Sequence, residues 1–174
     1  MGSGDEGRWS QPGSGKDAAI TIEEQALRKA VDFWNNGDLE GYLRLYDERI
    51  KLHASASWHG SSGPVLDKAG VRATYEATWA TMAADGSSGP HLEIIEVVAS
   101  GQRLAHRFVM SGVHKGLYRG IAATGKPYQT AGMTFLHFDG EKCIERWTNF
   151  DTFGLLMQLG ATIPPPAART SPAS

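Results

Sequence analysis

TGKPYQTAGMTFLHFDGEKCIERWTNFDTFGLLMQLG, residues 124–160, is the stretch whose reading decides the fold. Met133, Phe135 and His137 alternate with Thr134, Leu136 and Phe138, and beyond Asp139-Gly140 the residues Ile144, Arg146, Thr148 and Phe150 alternate with Cys143, Glu145 and Trp147. Period-two alternation on both sides of an Asp-Gly pair predicts a β-hairpin. Asp151 followed by Thr152 to Leu159 and then Gly160 predicts a short capped helix. Strand, turn, strand and helix in this order form the closing element of an α+β barrel. Whether the loop is the two residues Asp139-Gly140 or the four residues 139–142, facing residues have numbers that sum to an odd total. Either register puts Ala131, Met133, Phe135, His137, Ile144, Arg146, Thr148 and Phe150 on one face, a mainly apolar surface suited to a pocket wall. The opposite face carries Thr134, Leu136, Phe138, Cys143, Glu145 and Trp147.

Working outward from the hairpin, Thr21 and Glu24 form a capping box, and the helical spacing of Ile22, Ala26, Ala30 and Phe33 continues to Asn36-Gly37. Asp38 caps a second, short helix that points Leu39, Tyr42, Leu43 and Tyr46 inward, and residues 50–54 form a brief strand carrying His53. Asp67 opens a third helix to about Ala84, with Val71, Tyr75, Thr78, Trp79 and Met82 as its buried stripe. Strands follow over 91–99 and 103–113. Helices first and antiparallel strands afterwards define an α+β protein: a cone-shaped α+β barrel in which N-terminal helices pack in a strongly curved, mainly antiparallel sheet. Such a wrap encloses a cavity rather than a solid core, and a small molecule would occupy it.

The composition narrows the function. At 174 residues with 41% apolar side chains the chain has material for one core, taken as a single domain over 18–160. Residues 1–17, rich in Gly and Ser, and 161–174, rich in Pro and Ala, are expected to be disordered arms, with Trp9 in the first. A net charge of −2 without a basic run argues against nucleic acid or an acidic membrane surface as partner. The opening residues lack the apolar core of a secretory signal and no window approaches a membrane span, so the protein is read as cytoplasmic. The single Cys143 rules out an internal disulfide and a Cys-rich zinc site, and reads as a small buried hydrophobe.

Four segments in order carry a family resemblance: FWNNGDLEGY (33–42), VHKGLYRGIAATGK (113–126), DGEKCIERW (139–147) and NFDTFGLLMQLG (149–160). Over residues 22–160 the chain resembles the SnoaL-like polyketide cyclases and ester cyclases, within the nuclear-transport-factor-2-like, ketosteroid-isomerase-like superfamily. The resemblance implies a cofactor-free enzyme: an Asp on the last strand removes a proton from a carbon acidified by carbonyls, the enolate closes a ring, and a His on the facing strand assists. It also implies a small hydrophobic or polyketide-like substrate and a homodimer formed through the outer sheet face, for which Trp147, Leu136 and Phe138 are suited. By position in the motif, the cyclase Asp falls at Thr148 and the cyclase His at Met133. Neither side chain can do that acid/base work near neutral pH.

The remaining candidates divide by chemistry. His53 stands where family members often present a polar side chain to the cavity, and an imidazole near its ordinary pKa of ~6.5 exchanges protons at working pH. Arg146 shares the Thr148 face and, once buried, needs an anion, either an internal carboxylate or a substrate carboxylate or enolate. Asp151 reads as the N-cap of the last helix, with catalysis as the second reading. His106, among Leu104, Phe108 and Met110, is a satisfied core histidine or a pocket wall. Trp34, Tyr46, Trp79, Met133, Phe135 and Phe150 are expected to contact the ligand. No metal is expected, because no His pair has helical i, i+4 spacing. The sequence thus points to a cofactor-independent cyclase- or isomerase-type enzyme using His53 and Arg146 around Thr148. The alternative is a non-catalytic ligand-binding or accessory protein of the same fold.

Overall fold

Helix boundaries follow side-chain caps. In the computed structural model, which describes residues 20–54, 65–83 and 89–162, Thr21 Oγ1 accepts from the Glu24 amide at 3.2 Å and opens α1 (Ile22–Asn35). Asp38 accepts from Gly41 N at 2.7 Å at the start of α2 (Leu39–Leu43), and Asp67 from Gly70 N at 2.9 Å at the start of α3 (Lys68–Thr81). Each cap satisfies one of the amides that a helix start leaves without a partner. Asp151 accepts from Gly154 N at 2.8 Å before α4 (Thr152–Leu159), which ends at Gly160 with φ 104°. That left-handed conformation costs a glycine little. The expected arms fall mostly outside the described residues, as does His59.

The strands are β1 (Tyr46–Ala54), β2 (Val65–Leu66), β3 (His91–Ser100), β4 (Arg103–Val113), β5 (Pro127–Asp139) and β6 (Lys142–Phe150). The described residues build one curved, unclosed six-stranded sheet in the order β2-β1-β6-β5-β4-β3. All neighbours are antiparallel except β1 and β6. The mainly antiparallel α+β class expected from the sequence is therefore the observed one. Tyr46, expected at the end of the second helix, belongs instead to β1, because α2 stops at Leu43.

Helix α1 is tied across the sheet by polar bonds at its end. Asn35 Nδ2 donates to Leu92 O and Asn35 Oδ1 accepts from Leu92 N, each at 2.8 Å, while the Trp34 indole N–H donates to Pro90 O at 2.5 Å. These bonds set Trp34 against Tyr42, Tyr75 and Trp79 in edge-to-face contacts with centroids 4.8–5.5 Å apart, a favoured aromatic geometry. A second apolar cluster, Met82, Tyr128, Leu155 and Leu159, covers the other end of the sheet under α4.

The hairpin departs from the expected register. Near the turn Asp139 pairs with Lys142 and Phe138 with Cys143, so the loop is residues 140–141 and the sums are odd as read from sequence. Gly140, at φ 60°, supplies the positive φ that a II′-like turn needs at its first loop position. Beyond Cys143 the pairing slips: His137 faces Glu145, Leu136 faces Arg146, Phe135 faces Trp147 and Thr134 faces Thr148. Ile144 is the extra residue of a β-bulge. A one-residue slip moves every subsequent side chain of one strand to the other face relative to its partner. Arg146 and Thr148 therefore share the inner face with Thr134, Leu136 and Phe138, all buried, whereas Met133, Phe135 and His137 share the outer face with Glu145 and Trp147.

Gly132 sits where this inner face is tightest: a Cβ there would lie 2.5 Å from Phe108 Cζ and 2.7 Å from the Asn149 carbonyl oxygen. Gly132→Ala is expected to lower stability by roughly 1–3 kcal/mol through overpacking, read as a shifted midpoint with an unchanged slope in urea unfolding.

Candidate functional site

Among the described residues Arg146 is the only charged side chain in the wall of a cavity of about 50 Å³ between the two apolar clusters. The helices contribute Trp34, Tyr42, Tyr75 and Thr78; the sheet contributes Leu92, Phe108, Met110, Arg146, Thr148 and Phe150; Met82, Tyr118 and Leu155 close the remaining side. A water needs about 10–15 Å³ by this kind of measure, so the cavity takes a few waters or a small organic group. A larger guest must displace part of the lining.

Arg146 is 7% exposed, and among the described residues its guanidinium hydrogen-bonds hydroxyls alone. Nε donates to Thr148 Oγ1 at 2.8 Å, Nη1 donates to Tyr42 OH at 2.9 Å and to Tyr46 OH, and Nη2 reaches Thr134 Oγ1 at 3.5 Å. Its Cζ lies 5.9 Å from the ring centroids of Tyr46 and of Tyr75, within cation–π range. Among the described residues no carboxylate pairs with it. Burial pushes the Tyr46 and Tyr75 hydroxyls well above the ordinary phenol range, with the Arg146 charge opposing, so these tyrosines remain neutral. A buried cation held by neutral groups alone costs several kcal/mol unless an anion joins it.

The hydroxyl network is rich in donors. Tyr42 OH and Tyr75 OH each lie 3.1 Å from Tyr46 OH, so the cluster has three phenolic protons and only two hydroxyl–hydroxyl contacts to use them. With Tyr46 donating to one neighbour and accepting from the other, an O–H proton is left over at Tyr42 or Tyr75, both of which are in the cavity wall. Thr134 and Thr148 share one contact at 3.1 Å. Positive charge with O–H donors in a small, mainly apolar pocket is an arrangement that stabilises an oxyanion.

The sequence-derived candidates separate cleanly in space. Trp34, Arg146, Thr148 and Phe150 line the cavity, and Tyr46 packs behind the guanidinium. Trp79 packs on Trp34, outside the lining. His106 is buried on the same sheet face, in the row His106–Thr134–Thr148 that crosses β4, β5 and β6. Three expectations are corrected. His53 lies on the outer face: it stacks on Trp147 with centroids 4.6 Å apart, and its Nε2 is 2.8 Å from Glu145 Oε1. The cause is parity, since Leu52, its neighbour in β1, takes the inner side opposite Arg146. Met133 and Phe135 also face outward, 67% and 41% exposed, so residue 134, not 133, opposes Thr148. Leu136 and Phe138 are buried inside, which removes them from the outer face. Asp151 is engaged as an N-cap. Tyr42 and Tyr75 were legible only as core positions, and Thr134 was read onto the face opposite the pocket; the two tyrosines reach the site from different helices, a meeting no local pattern encodes.

The sequence signature of SnoaL-like polyketide cyclases matches residues 24–159. The chain belongs to this family. No curated protein matches it significantly. Among solved structures, IdmH of Streptomyces antibioticus, provisionally assigned as a polyketide cyclase, is similar at TM-score 0.69 with 22% identity, covering 80% of this chain and 99% of its own. AclR of Streptomyces galilaeus, provisionally assigned as a hydroxylase, gives TM-score 0.67 at 21% identity over 82% and 98%. A ketosteroid-isomerase-like protein of Catenulispora acidiphila, solved with trimethylamine, gives 0.63 at 15% over 79% and 94%. At these identities the likeness shows the fold, and the differing descriptions show that the fold does not set the chemistry.

His106 supplies a pH test of this interior. Burial, reinforced by the nearby Arg146 charge, holds its pKa down at about 3, against ~6.5 unfolded. The unfolded chain therefore binds the extra proton in this window, so the contribution to stability is complete above the unfolded value and is lost as pH falls toward the folded one. Between about pH 7 and about pH 5 the parent should lose about 2 kcal/mol more than His106→Leu, measured by urea unfolding at both pH values.

Proposed function

We propose that this SnoaL-like protein binds a small, largely apolar molecule in the cavity and seats an anionic or enolate oxygen of it against Arg146 and the tyrosine hydroxyls. The observation that carries this reading is the buried guanidinium whose described partners are all hydroxyls. An enzyme of the cofactor-independent cyclase or isomerase type could use the same oxyanion site. The family's carboxylate base has no counterpart in the described lining, where Thr148, backed by the buried Thr134, presents a hydroxyl. His53, the replacement base expected from sequence, is on the other side of the sheet. The geometry therefore favours ligand binding with anion stabilisation over Asp-driven ring closure.

The test uses butyrate and its neutral isostere butyramide, titrated against the protein by NMR. The parent is expected to bind the acid at least about tenfold more tightly than the amide, a charge-assisted pair being the stronger. Arg146→Met should abolish that preference while keeping or raising stability, because the hydroxyls it leaves behind already contact one another at 3.1 Å. Equal affinity of the parent for acid and amide would refute the reading.

The family's homodimer is proposed to form on the outer sheet face. Val98, Ala105, Phe135, Trp147 and His53 form a single row across β3, β4, β5, β6 and β1, and Val98 and Phe135 are 64% and 41% exposed. A largely apolar, partly exposed row of this kind favours self-association. Sedimentation velocity should show a dimer for the parent and a monomer for Phe135→Glu; a monomeric parent contradicts it.

A further inference from the structure

Both ring nitrogens of His106 are buried and have no hydrogen-bond partner among the described residues. The residue is 7% exposed, and a polar group left in that state costs on the order of 1–3 kcal/mol. Its surroundings are otherwise well satisfied: Thr134, its cross-strand neighbour, bonds Thr148, and Phe108 packs with its centroid 5.6 Å from the imidazole. The row His106–Thr134–Thr148 ends in the cavity wall at Thr148, and Arg146 extends its guanidinium over the same row, touching both threonines. Neither Thr134 nor His106 is in the described lining, although Phe108, packed on the imidazole, is. Adjacent strands lie about 4.8 Å apart, so a molecule seated on the guanidinium that displaces the packing over the short Thr134 side chain comes within reach of the imidazole one strand beyond it.

We propose that His106 is the second polar anchor of this cavity, hydrogen-bonding an oxygen of a ligand whose anionic oxygen rests on Arg146. The site then selects small organic acids that carry a further oxygen a few bonds from the charge, such as oxo or hydroxy acids, over simple aliphatic acids. The inference rests on the Arg146 reading and adds a specificity element to it. His106 is uncharged near neutral pH, because burial and then the Arg146 charge disfavour the imidazolium. An uncharged ring can donate from one nitrogen and accept at the other, so it serves a carbonyl or a hydroxyl by choice of tautomer. It is a positioning residue, and no proton transfer is assigned to it.

Butyrate and acetoacetate share the same four-carbon acid skeleton and differ by the ketone oxygen, so they isolate this contact. The parent is expected to bind acetoacetate about fivefold more tightly than butyrate, the worth of one net hydrogen bond. His106→Phe should bring the two acids to parity while butyrate affinity stays within about twofold. In the parent, the His106 imidazole ¹⁵N resonances should move with acetoacetate and stay fixed with butyrate, a readout that requires no variant to fold. If both acids bind the parent alike and the ¹⁵N resonances move with neither, His106 is a core histidine hydrated by buried water and the inference is overturned. If the preference persists in His106→Phe, another group reads the ketone and the inference is likewise overturned. If neither acid binds the parent, the Arg146 reading itself has failed, which the butyrate titration reveals separately.

Discussion

The burial of the Arg146 guanidinium among hydroxyls is the constraint to which the rest of the interior answers. A guanidinium cannot shed its charge by deprotonation, so it must be neutralised by geometry. Three tyrosines from α2, β1 and α3 and two threonines from β5 and β6 converge on it or on its partners. Their hydroxyls and ring faces soften the desolvation of the cation without cancelling its charge. The result is a pocket whose walls are aromatic and whose floor is positive.

Local structure brings this about through one bulge. Were Ile144 paired in regular alternation instead of bulged, Arg146 and Thr148 would go to the face of Met133 and Phe135, and the guanidinium would stand against Met133 and Phe135 rather than Thr134. The bulge also explains why Cys143 and Arg146, three residues apart, are both buried on the same side. Burial holds the Cys143 thiol up at about 12, so it packs as an inert apolar group. A carboxylate at position 148 would lie within bonding reach of Arg146 Nε, and the adjacent cation would hold its pKa low. The presence of Arg146 is thus incompatible with a strongly basic carboxylate at position 148, where the chain carries a hydroxyl.

Much of the fold was legible because its signals are local. The caps at Thr21, Asp38, Asp67 and Asp151, the alternation in β5 and the glycine after α4 each act within a few residues. The site was legible in part. Arg146 and Thr148 were recognised as inward-facing, but their partners were misassigned, because both faces of β5 carry apolar residues and period-two patterning cannot choose between them. His53 failed for the same reason in β1: its parity depends on Leu52 lying in the core opposite Arg146. Tyr42 and Tyr75 required knowing how α2 and α3 cross, which is a tertiary fact. The unpartnered nitrogens of His106 are invisible to any reading of residue type alone.

The most direct test of the central claim is a crystal structure of the protein with a bound small organic acid. The account predicts a ligand oxygen within hydrogen-bonding distance of the Arg146 guanidinium, between the tyrosine hydroxyls and Thr148. A structure in which that guanidinium is instead paired with a carboxylate of the chain itself, and the acid binds elsewhere, would contradict it.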